Sequence, residues 1–223
     1  MLDRAAIAVL KPLLEAGAGA LARRGVGADA VTLAGFAIGM AAAGAIAFGH
    51  FGWGLALLLA SRLADGLDGA VARRTHSTDR GAFLDITLDF LFYASIPLAF
   101  AIAEPAANAL PAAVLLAAFI GTGSSFLAFA VLAERRGLAN AAYPQKGFFY
   151  LGGLTEATET LICFALMCLW PEHFAWWAYG FAALCGLTIA SRIGVFVSSR
   201  AKNAGWNTLI STNAGSPAAK AAS

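Results

Sequence analysis

Four aspartates stand within apolar stretches of this sequence at spacings that suit the faces of helices. Asp65 and Asp68 are three residues apart, and Asp85 and Asp89 are four residues apart. Side chains at these separations are neighbours on a helix surface. A short loop separates the two stretches, so we expect two antiparallel neighbouring helices, each carrying one acidic pair. The spacing therefore predicts that four carboxylates converge.

Converging carboxylates within apolar helices point to a narrow range of chemistry. Such residues are costly in a membrane and mark functional sites, and they stay ionised only beside cations. Hard divalent ions such as Mg²⁺ and Mn²⁺ prefer all-oxygen ligands. An ion held in this way can bind phosphate oxygens and neutralise charge as a phosphoryl ester breaks. The alternative is a structural cluster of protonated or salt-bridged acids.

The elements that carry these acids are long apolar segments. Of the 223 residues, 60% are hydrophobic and 13% are charged, against about 25% charged in soluble domains. A membrane helix needs about 20 mostly apolar residues. Six segments qualify, over about 30–50, 53–73, 81–103, 109–132, 147–170 and 174–197. We therefore predict an all-α fold, an integral membrane bundle of six transmembrane helices.

Two flanking segments differ from this bundle, which we place at residues 25–200. Residues 1–24 combine apolar side chains at near-helical spacing with several basic residues. This pattern is typical of an amphipathic helix lying in the membrane interface, and a disordered leader is the alternative. Residues 201–223 are rich in Ala, Ser, Asn and Gly without apolar periodicity, which predicts a flexible cytoplasmic tail.

The distribution of Lys and Arg predicts the orientation of the bundle. The loops on one side contain Arg23, Arg24, Arg73, Arg74, Arg80, Arg135, Arg136, Lys146, Arg200 and Lys202. The opposite loops contain no Lys or Arg, and cytoplasmic loops carry the positive excess. Both termini should therefore face the cytoplasm in a multi-pass protein of the cell membrane. The net charge of +2 is too small to favour a nucleic-acid partner.

The two acidic segments resemble a known signature. They read Asp65-Gly-Leu-Asp68-Gly69-Ala-Val-Ala72-Arg73 and Gly81-Ala-Phe-Leu-Asp85-Ile-Thr-Leu-Asp89. The signature of CDP-alcohol phosphatidyltransferases is D-x-x-D-G-x-x-A-R followed by G-x-x-x-D-x-x-x-D, and all eight of its fixed positions match. The spacer of seven residues is one shorter than the length commoner in the family, a departure that affects the loop and not the carboxylates.

The resemblance implies a reaction and the residues that perform it. The family transfers a substituted phosphate, such as a phosphatidyl group, from a CDP-linked donor to an alcohol acceptor, and it releases CMP in phospholipid biosynthesis. CDP-diacylglycerol is one such donor. By this resemblance Asp65, Asp68, Asp85 and Asp89 would hold two divalent ions, Mg²⁺ or Mn²⁺, and Asp89 would also act as the general base. The resemblance further implies a homodimer surrounded by membrane lipids.

The resemblance also implies contacts with the CDP-linked donor. Gly69 would let the backbone approach the nucleotide closely, as glycine does. Ala72 would leave room there, and Arg73 would hold the phosphates of the donor as a charged fork. Thr78 matches a hydroxyl position of the family near the nucleotide. The segment from Asp29 to Thr32, at the start of the first predicted membrane helix, resembles the corresponding family segment more weakly.

Charged residues in and beside the last two predicted helices are candidates for an acceptor pocket. These residues are Lys146, Glu156, Glu159 and Arg192. The alternative is structural pairing, for example of Glu159 with Arg192, because intramembrane charges usually pair with one another. As pocket residues, the two glutamates would oppose an anion, which favours a small neutral, cationic or zwitterionic alcohol. Arg62 is the remaining charge within a predicted span.

A membrane transporter or ion-coupled protein is the main alternative function, because it too would keep carboxylates in the membrane. Transporters usually show internal repeats and broken helices at the membrane midplane, and this sequence shows neither. A catalytically inactive scaffold would have lost a metal ligand, and no acidic position of the signature is lost. The sequence therefore favours an enzyme.

Overall fold

The computed structural model describes residues 2–75, 78–135, 155 and 157–214, and this part of the chain is all-helical, as the sequence predicts. Its helices are α1 (Leu2–Arg23), α2 (Ala28–Ala47), α3 (Phe51–Arg74), α4 (Asp79–Ala103), α5 (Pro105–Arg135), α6 (Ala157–Leu169) and α7 (Phe174–Ala214). A single 3-10 turn, Pro171–His173, precedes α7. Gly25 and Gly49 adopt positive φ angles of 73° and 78° after α1 and α2, a conformation that glycine adopts without a Cβ clash.

Several of these helices are suited to a membrane by length and composition. Within the described residues, four stretches could cross one, namely Ala28–Ala47, Asp79–Ala103, Pro105–Leu132 and Pro171–Gly194. They correspond to the first, third, fourth and sixth predicted spans. The chain is therefore a multi-pass membrane protein.

The remaining two predicted spans correspond to α3 and α6. Helix α3 has 24 residues, which give a length of about 36 Å at 1.5 Å per residue. It is therefore long enough to cross a membrane, but it contains more charged residues than the four stretches named above. Helix α6 has 13 residues, and residues 147–154 of that predicted span lie outside the described part of the chain. The count of six spans therefore stays a prediction.

The packing of the first membrane helices differs from the expected arrangement of α3 beside α4. Helix α2 packs against both, whereas α3 and α4 make few close backbone contacts within the described residues. A Cβ on Gly35 would lie 3.0 Å from Ala64 Cβ of α3, and one on Gly39 would lie 2.6 Å from Phe92 Cδ2 of α4. These two glycines let α2 approach both helices, and α3 and α4 then meet through long side chains.

The apolar core occupies the part of the bundle away from the acidic residues. Its largest fully buried side chains are Ile46, Leu58, Phe92, Ile96, Phe100, Leu115, Phe164, Met167 and Phe174. Aromatic rings join its helices, and Phe51 and Phe174 each stack with Phe100, at centroid distances of 5.6 and 4.7 Å. This core fixes the relative positions of α2, α3, α4, α5, α6 and α7.

Helix α1 spans Leu2–Arg23 of the predicted leader and packs against the end of α3. Ala18 of α1 is buried together with Ala70 and Val71 of α3. Arg74 Nη2 donates a hydrogen bond to Glu15 Oε2 at 2.6 Å. One face of α1 is therefore bound to the bundle, and its placement in the membrane interface stays a prediction.

Helix α7 continues to Ala214, so residues 201–214 are helical, and the flexibility of the tail stays a prediction. The sequence pattern there lacks the apolar periodicity from which a packed helix would be predicted. Extending an existing helix adds one hydrogen bond for each residue fixed, whereas starting a new one is costly. No proline interrupts the chain between Phe174 and Ala214. Helix α7 can therefore continue even though its last residues lack an apolar face for packing.

Candidate active site

The start of α4 is fixed closely against the start of α2. Thr78 Oγ1 accepts a hydrogen bond from the Gly81 amide at 3.0 Å, which caps the first turn of α4. A Cβ on Gly81 would lie 3.2 Å from both Asp29 Oδ1 and Thr78 Oγ1. Glycine at this position therefore allows α4 to begin near α2, with its acidic residues directed to the same end of the bundle as those of α3.

Three carboxylates meet at this end. Ligand oxygens of Asp65, Asp68 and Asp85 all lie within 4.8 Å of one another. Asp68 is buried, with 6% of its surface exposed, whereas Asp65 is partly exposed and Asp85 is exposed. We call these residues the three-carboxylate group. The group is closed at Asp68 and accessible at Asp85.

The chemistry of this group fits a hard divalent cation. All three donors are carboxylate oxygens, which are the ligands that such ions prefer. Asp68 Oδ2 is buried and has no hydrogen-bond partner within the described residues, and a buried carboxylate oxygen is costly unless a cation or proton compensates it. A divalent ion would also relieve the repulsion between neighbouring carboxylates.

Asp89 lies in the same region but is engaged differently. Its Oδ1 accepts a hydrogen bond from Arg62 Nη1 at 2.6 Å, and the same nitrogen lies 3.5 Å from Asp65 Oδ1. The guanidinium carbon of Arg62 lies 3.9 Å from the centroid of the Phe92 ring. The structure thus brings the four predicted aspartates together but divides them, because three form one group and the fourth is paired with an arginine.

The residues predicted to contact the donor surround the same end of the bundle. Gly69, Ala72 and Arg73 follow Asp68 along the last turns of α3, and Arg73 is exposed. The segment from Asp29 to Thr32 forms the first turn of α2. The structure therefore groups these residues near the three-carboxylate group, and their contacts with a donor stay a prediction.

Three of these predicted donor residues also have structural contacts. Asp29 Oδ2 lies 3.3 Å from Arg80 Nε. Thr32 is buried beside Asp68 and donates a hydrogen bond to the Ala28 carbonyl at 3.1 Å. Thr78 caps α4. Each side chain thus helps to hold α2 and α4 in place, whatever contact it makes with a nucleotide.

The candidate acceptor residues are only partly described. Lys146 and Glu156 lie outside the described residues. Glu159 is partly buried on α6, and its Oε2 has no hydrogen-bond partner within the described chain. Arg192 on α7 donates hydrogen bonds from Nη1 to the Thr122 carbonyl at 2.8 Å and to Ser125 Oγ at 3.3 Å. Arg192 therefore links α7 to α5.

Comparison with known proteins identifies the family. Residues 26–190 match the model of CDP-alcohol phosphatidyltransferases. The chain belongs to the CDP-alcohol phosphatidyltransferase family. The resemblance drawn from the two acidic segments is thereby confirmed. The chain is a membrane transferase of phospholipid synthesis.

Individual relatives of this phosphatidyltransferase differ in how much of the chain they match. It is 52% identical over 193 residues to the Escherichia coli inner membrane protein YnjF, covering 86% of this chain and 94% of that protein. An archaetidylinositol phosphate synthase of Methanothermobacter thermautotrophicus is 52% identical over 65 residues, 29% of this chain and 33% of the relative. A phosphatidylinositol phosphate synthase of Streptomyces avermitilis is 43% identical over 93 residues, 40% of this chain and 37% of the relative.

A solved structure shares the fold of this phosphatidyltransferase. It is the crystal structure of Mycobacterium tuberculosis phosphatidylinositol phosphate synthase with CDP-DAG bound. The two chains superpose with a TM-score of 0.60 at 22% sequence identity, over 82% of this chain and 92% of the other. At this level of identity the likeness establishes the common helical architecture.

Sequence reasoning missed two features of the phosphatidyltransferase site. The first is the contact of Arg62 with Asp89, which joins residues 27 positions apart; the sequence signal was only that Arg62 stands one turn before Asp65. The second is the pair Gly35 and Gly39, which forms the G-x-x-x-G spacing that permits close helix packing in membranes. That spacing, visible in the sequence, could have predicted the close approach of α2.

Proposed function

We propose that this protein transfers a phosphatidyl group from CDP-diacylglycerol to a small alcohol at the cytoplasmic face of the membrane and releases CMP. The observation that carries the proposal is the convergence of Asp65, Asp68 and Asp85 within 4.8 Å, with Asp89 beside them on α4. The structural neighbour with CDP-DAG bound supports a CDP-linked lipid as the donor.

The proposed step is a displacement at phosphorus. The acceptor hydroxyl oxygen forms a bond to the phosphorus of the phosphatidyl group, and the bond from that phosphorus to the bridging oxygen of CMP breaks. CMP leaves with the bonding electrons, and the hydroxyl proton passes to the Asp89 carboxylate. A general base of this kind typically contributes a factor of about 10² to 10⁴ to the rate.

The residues of the chain divide the work in this proposal. Asp65, Asp68 and Asp85 would hold divalent ions, with Asp89 as a further ligand. The family resemblance implies two such ions, either Mg²⁺ or Mn²⁺. Such ions neutralise charge on phosphoryl oxygens and on the leaving group. Arg73, exposed at the end of α3, would bind the diphosphate of the donor. The buried Asp68 would anchor the group against α2.

We also propose that the bundle has six spans with both termini in the cytoplasm. The charge distribution of the loops supports this orientation, since positive residues occur on one side alone. The three-carboxylate group then lies near the cytoplasmic surface, where a lipid donor enters from the leaflet and a polar acceptor from water. A reporter fused after Lys202 should be active only in the cytoplasm, and activity outside would contradict the orientation.

The acceptor in this proposal is a small alcohol without net negative charge. Glu159 faces the interior of the bundle with a buried oxygen that lacks a partner within the described chain, and such an oxygen suits a hydroxyl or cationic group. Arg192, already bonded to α5, supports a competing acceptor that carries phosphate. The names of two partial relatives, both inositol phosphate lipid synthases, also support this alternative, an acceptor that carries phosphate.

The function is tested with purified full-length protein in lipid nanodiscs. CMP release from CDP-diacylglycerol is measured with Mg²⁺, with Mn²⁺ and with a chelator, against a panel of neutral, cationic and phosphorylated alcohols. We expect release that requires both a divalent ion and one class of alcohol. Absence of release with every alcohol and ion would contradict the proposed function, and release with phosphorylated alcohols alone would contradict the proposed acceptor.

A further inference from the structure

Arg62 is held in a defined orientation by three helices. Its side chain is 12% exposed, and its Nη2 donates a hydrogen bond to Ser61 Oγ at 3.3 Å. Ser61 Oγ in turn donates to the Gly35 carbonyl of α2 at 2.8 Å. The guanidinium lies over the Phe92 ring of α4 at 3.9 Å, a geometry in which cation and ring attract each other. Arg62 on α3 is therefore fixed relative to α2 and α4.

The contacts of Arg62 with the acids are unequal. The distance from Nη1 is 2.6 Å to Asp89 Oδ1 and 3.5 Å to Asp65 Oδ1. Charge-assisted hydrogen bonds of the shorter kind are strong and directional. Asp89 Oδ1 is therefore committed to Arg62. The carboxylate of Asp89 is nevertheless 33% exposed, and no hydrogen bond reaches its Oδ2 from the described residues.

This arrangement separates the four acids into two environments. Asp65, Asp68 and Asp85 present oxygens to one another, and Asp89 presents one oxygen to a cation that belongs to the protein. Without this contact, the Asp89 carboxylate, one turn beyond Asp85, could rotate about its side-chain bonds. The hydrogen bond from Arg62 opposes that rotation.

We infer that Arg62 is a positioning residue for the transfer step: through its hydrogen bond to Oδ1 it holds the Asp89 carboxylate in the orientation from which this carboxylate takes the proton of the acceptor. The inference rests on the proposed function, in which Asp89 is the base. Two other roles would give different results. A donor-binding arginine would affect donor affinity, and a simple counter-ion would affect stability alone.

The test is a double-mutant cycle of Arg62→Lys and Asp89→Asn in the full-length protein. Lysine keeps a cation in the buried position but lacks the planar fork that orients a carboxylate. We expect Arg62→Lys to lower kcat about 100-fold, the size of effect expected for a displacement of about 1 Å. The dissociation constant for CDP-diacylglycerol, measured by calorimetry without acceptor, should stay within about twofold because ground-state donor contacts are unchanged.

The second half of the cycle distinguishes positioning from other roles. If Arg62 acts through Asp89, the same Lys substitution should change kcat less than about twofold in the Asp89→Asn background, because coupled residues are not additive. Arg74→Lys, on the same helix and paired with Glu15, is the matched control and should leave turnover unchanged. Arg62→Gln, which keeps amide donors, repeats the cycle if lysine lowers the yield of folded protein.

Each contrary result has its own meaning. Equal losses in both backgrounds would show that Arg62 acts independently of Asp89 and would overturn the inference. So would a donor dissociation constant that rises together with the loss of kcat, or a lowered melting temperature with unchanged kcat. An active wild type combined with any of these results contradicts only the inference. A wild type that releases no CMP contradicts the proposed function and the inference with it.

Discussion

The two halves of helix α4 place their side chains in opposite environments. Its first half carries Asp85, which is exposed, and Asp89, which depends on one arginine. Its second half carries Phe92, Ile96 and Phe100, all completely buried. The change occurs between residues 89 and 92, within one helical turn. One rigid element therefore connects a region of incompletely paired charges to a region of close apolar packing.

The comparison shows which region provides structure and which provides chemistry. Rings stacked about Phe100 join α3, α4 and α7, and these phenylalanine rings carry no group for acid–base or metal chemistry. The acidic region contains a buried oxygen of Asp68 without a partner in the described chain, which packing alone would not favour. Functional sites are commonly retained at a cost in stability. Substitutions in the two halves should therefore separate activity from stability.

The largest effect on activity is expected for Asp68→Asn. It removes a charged ligand oxygen at the centre of the three-carboxylate group, and the loss of about 4 kcal/mol of metal-derived stabilisation corresponds to roughly 10³-fold in turnover. The rise in melting temperature on adding Mn²⁺ should also be lost, because bound ligands stabilise the folded state. Turnover and melting curves check both expectations.

The matched control for Asp68→Asn is Asp79→Asn. Asp79 is an exposed acid in the first turn of α4 and lies outside the three-carboxylate group. It should retain normal turnover and normal stabilisation by Mn²⁺. Near-normal turnover of Asp68→Asn would mean that this residue is not a required metal ligand. It would also contradict the view that the acidic region provides the chemistry.

The converse result is expected for Phe100→Ala. Removal of this ring takes away the stacking with Phe51 and Phe174, and it should lower the free energy of unfolding by about 3 kcal/mol. Turnover per folded molecule should stay normal, because this ring belongs to the apolar core and not to the three-carboxylate group. Leu98→Ala, on the same helix but 51% exposed, is the control and should change stability little. A selective loss of kcat in Phe100→Ala would contradict the separation of the two regions.

The acidic half was more predictable from sequence than the packing that supports it. The spacing of Asp65 with Asp68 and of Asp85 with Asp89 is local and periodic, so helix geometry alone places each pair on one face. The predicted spans 53–73 and 81–103 match α3 and α4 within two residues at each end. No local pattern says which acid a distant arginine contacts, so the pairing of Arg62 with Asp89 was not predictable.

The arrangement of α2, α3 and α4 was misjudged for a related reason. A short loop usually makes consecutive helices neighbours, and this expectation ignored the small residues of α2. Gly35 and Gly39 allow α2 to pack against both helices. The sequence predicted that the helices are apolar, but it did not predict which side chains pack together in the core. The partner of each ring depends on contacts between distant segments, such as that of Phe100 with Phe174.

Gly39→Ala tests the boundary between the two halves. The added Cβ would lie 2.6 Å from Phe92 Cδ2 and 2.9 Å from Ser61 Oγ, so α2 must shift at a cost of about 2 kcal/mol. Because Ser61 and Phe92 both contact Arg62, we expect kcat to fall as well as stability. Gly44→Ala is the control, since nothing lies within 4 Å of its Cβ position. Reduced stability with unchanged kcat would show that the acidic half tolerates movement of α2.

A smaller effect is expected in the candidate acceptor region. Glu159→Gln keeps the shape of the side chain and removes its charge, so the KM for the acceptor should rise about fivefold, which corresponds to about 1 kcal/mol, the typical net contribution of one hydrogen bond. The KM for the donor should stay constant, because in the proposed function α3 and the metal ligands bind the donor. The structural alternative predicts a lower melting temperature with unchanged acceptor kinetics. Acceptor selectivity and melting curves, measured on one preparation, distinguish these results.

The smallest effect is expected for the ion pair between Arg74 of α3 and Glu15 of α1, which lies outside both halves of α4. The hydrogen bond from Arg74 lowers the pKa of the Glu15 carboxyl below its ordinary value, and the charges of Arg73 and Lys11 act in the same direction. A carboxyl whose pKa is lowered on folding stabilises the folded state fully above its unfolded pKa. This contribution is lost as the pH falls through the lower, folded value.

Arg74→Met should therefore melt slightly below the wild type at pH 7, and the difference should shrink as the pH falls below 4.5, the ordinary pKa of this carboxyl. All other residues are identical in the two proteins, so their pH-dependent contributions cancel in the difference. Added salt should also reduce it, because exposed ion pairs are screened. A difference that stays constant with pH and salt would mean that Arg74 acts by packing, since its Nη1 lies 3.3 Å from the Cβ position of Gly19. Helix α1 would then be held to α3 by contact rather than by charge.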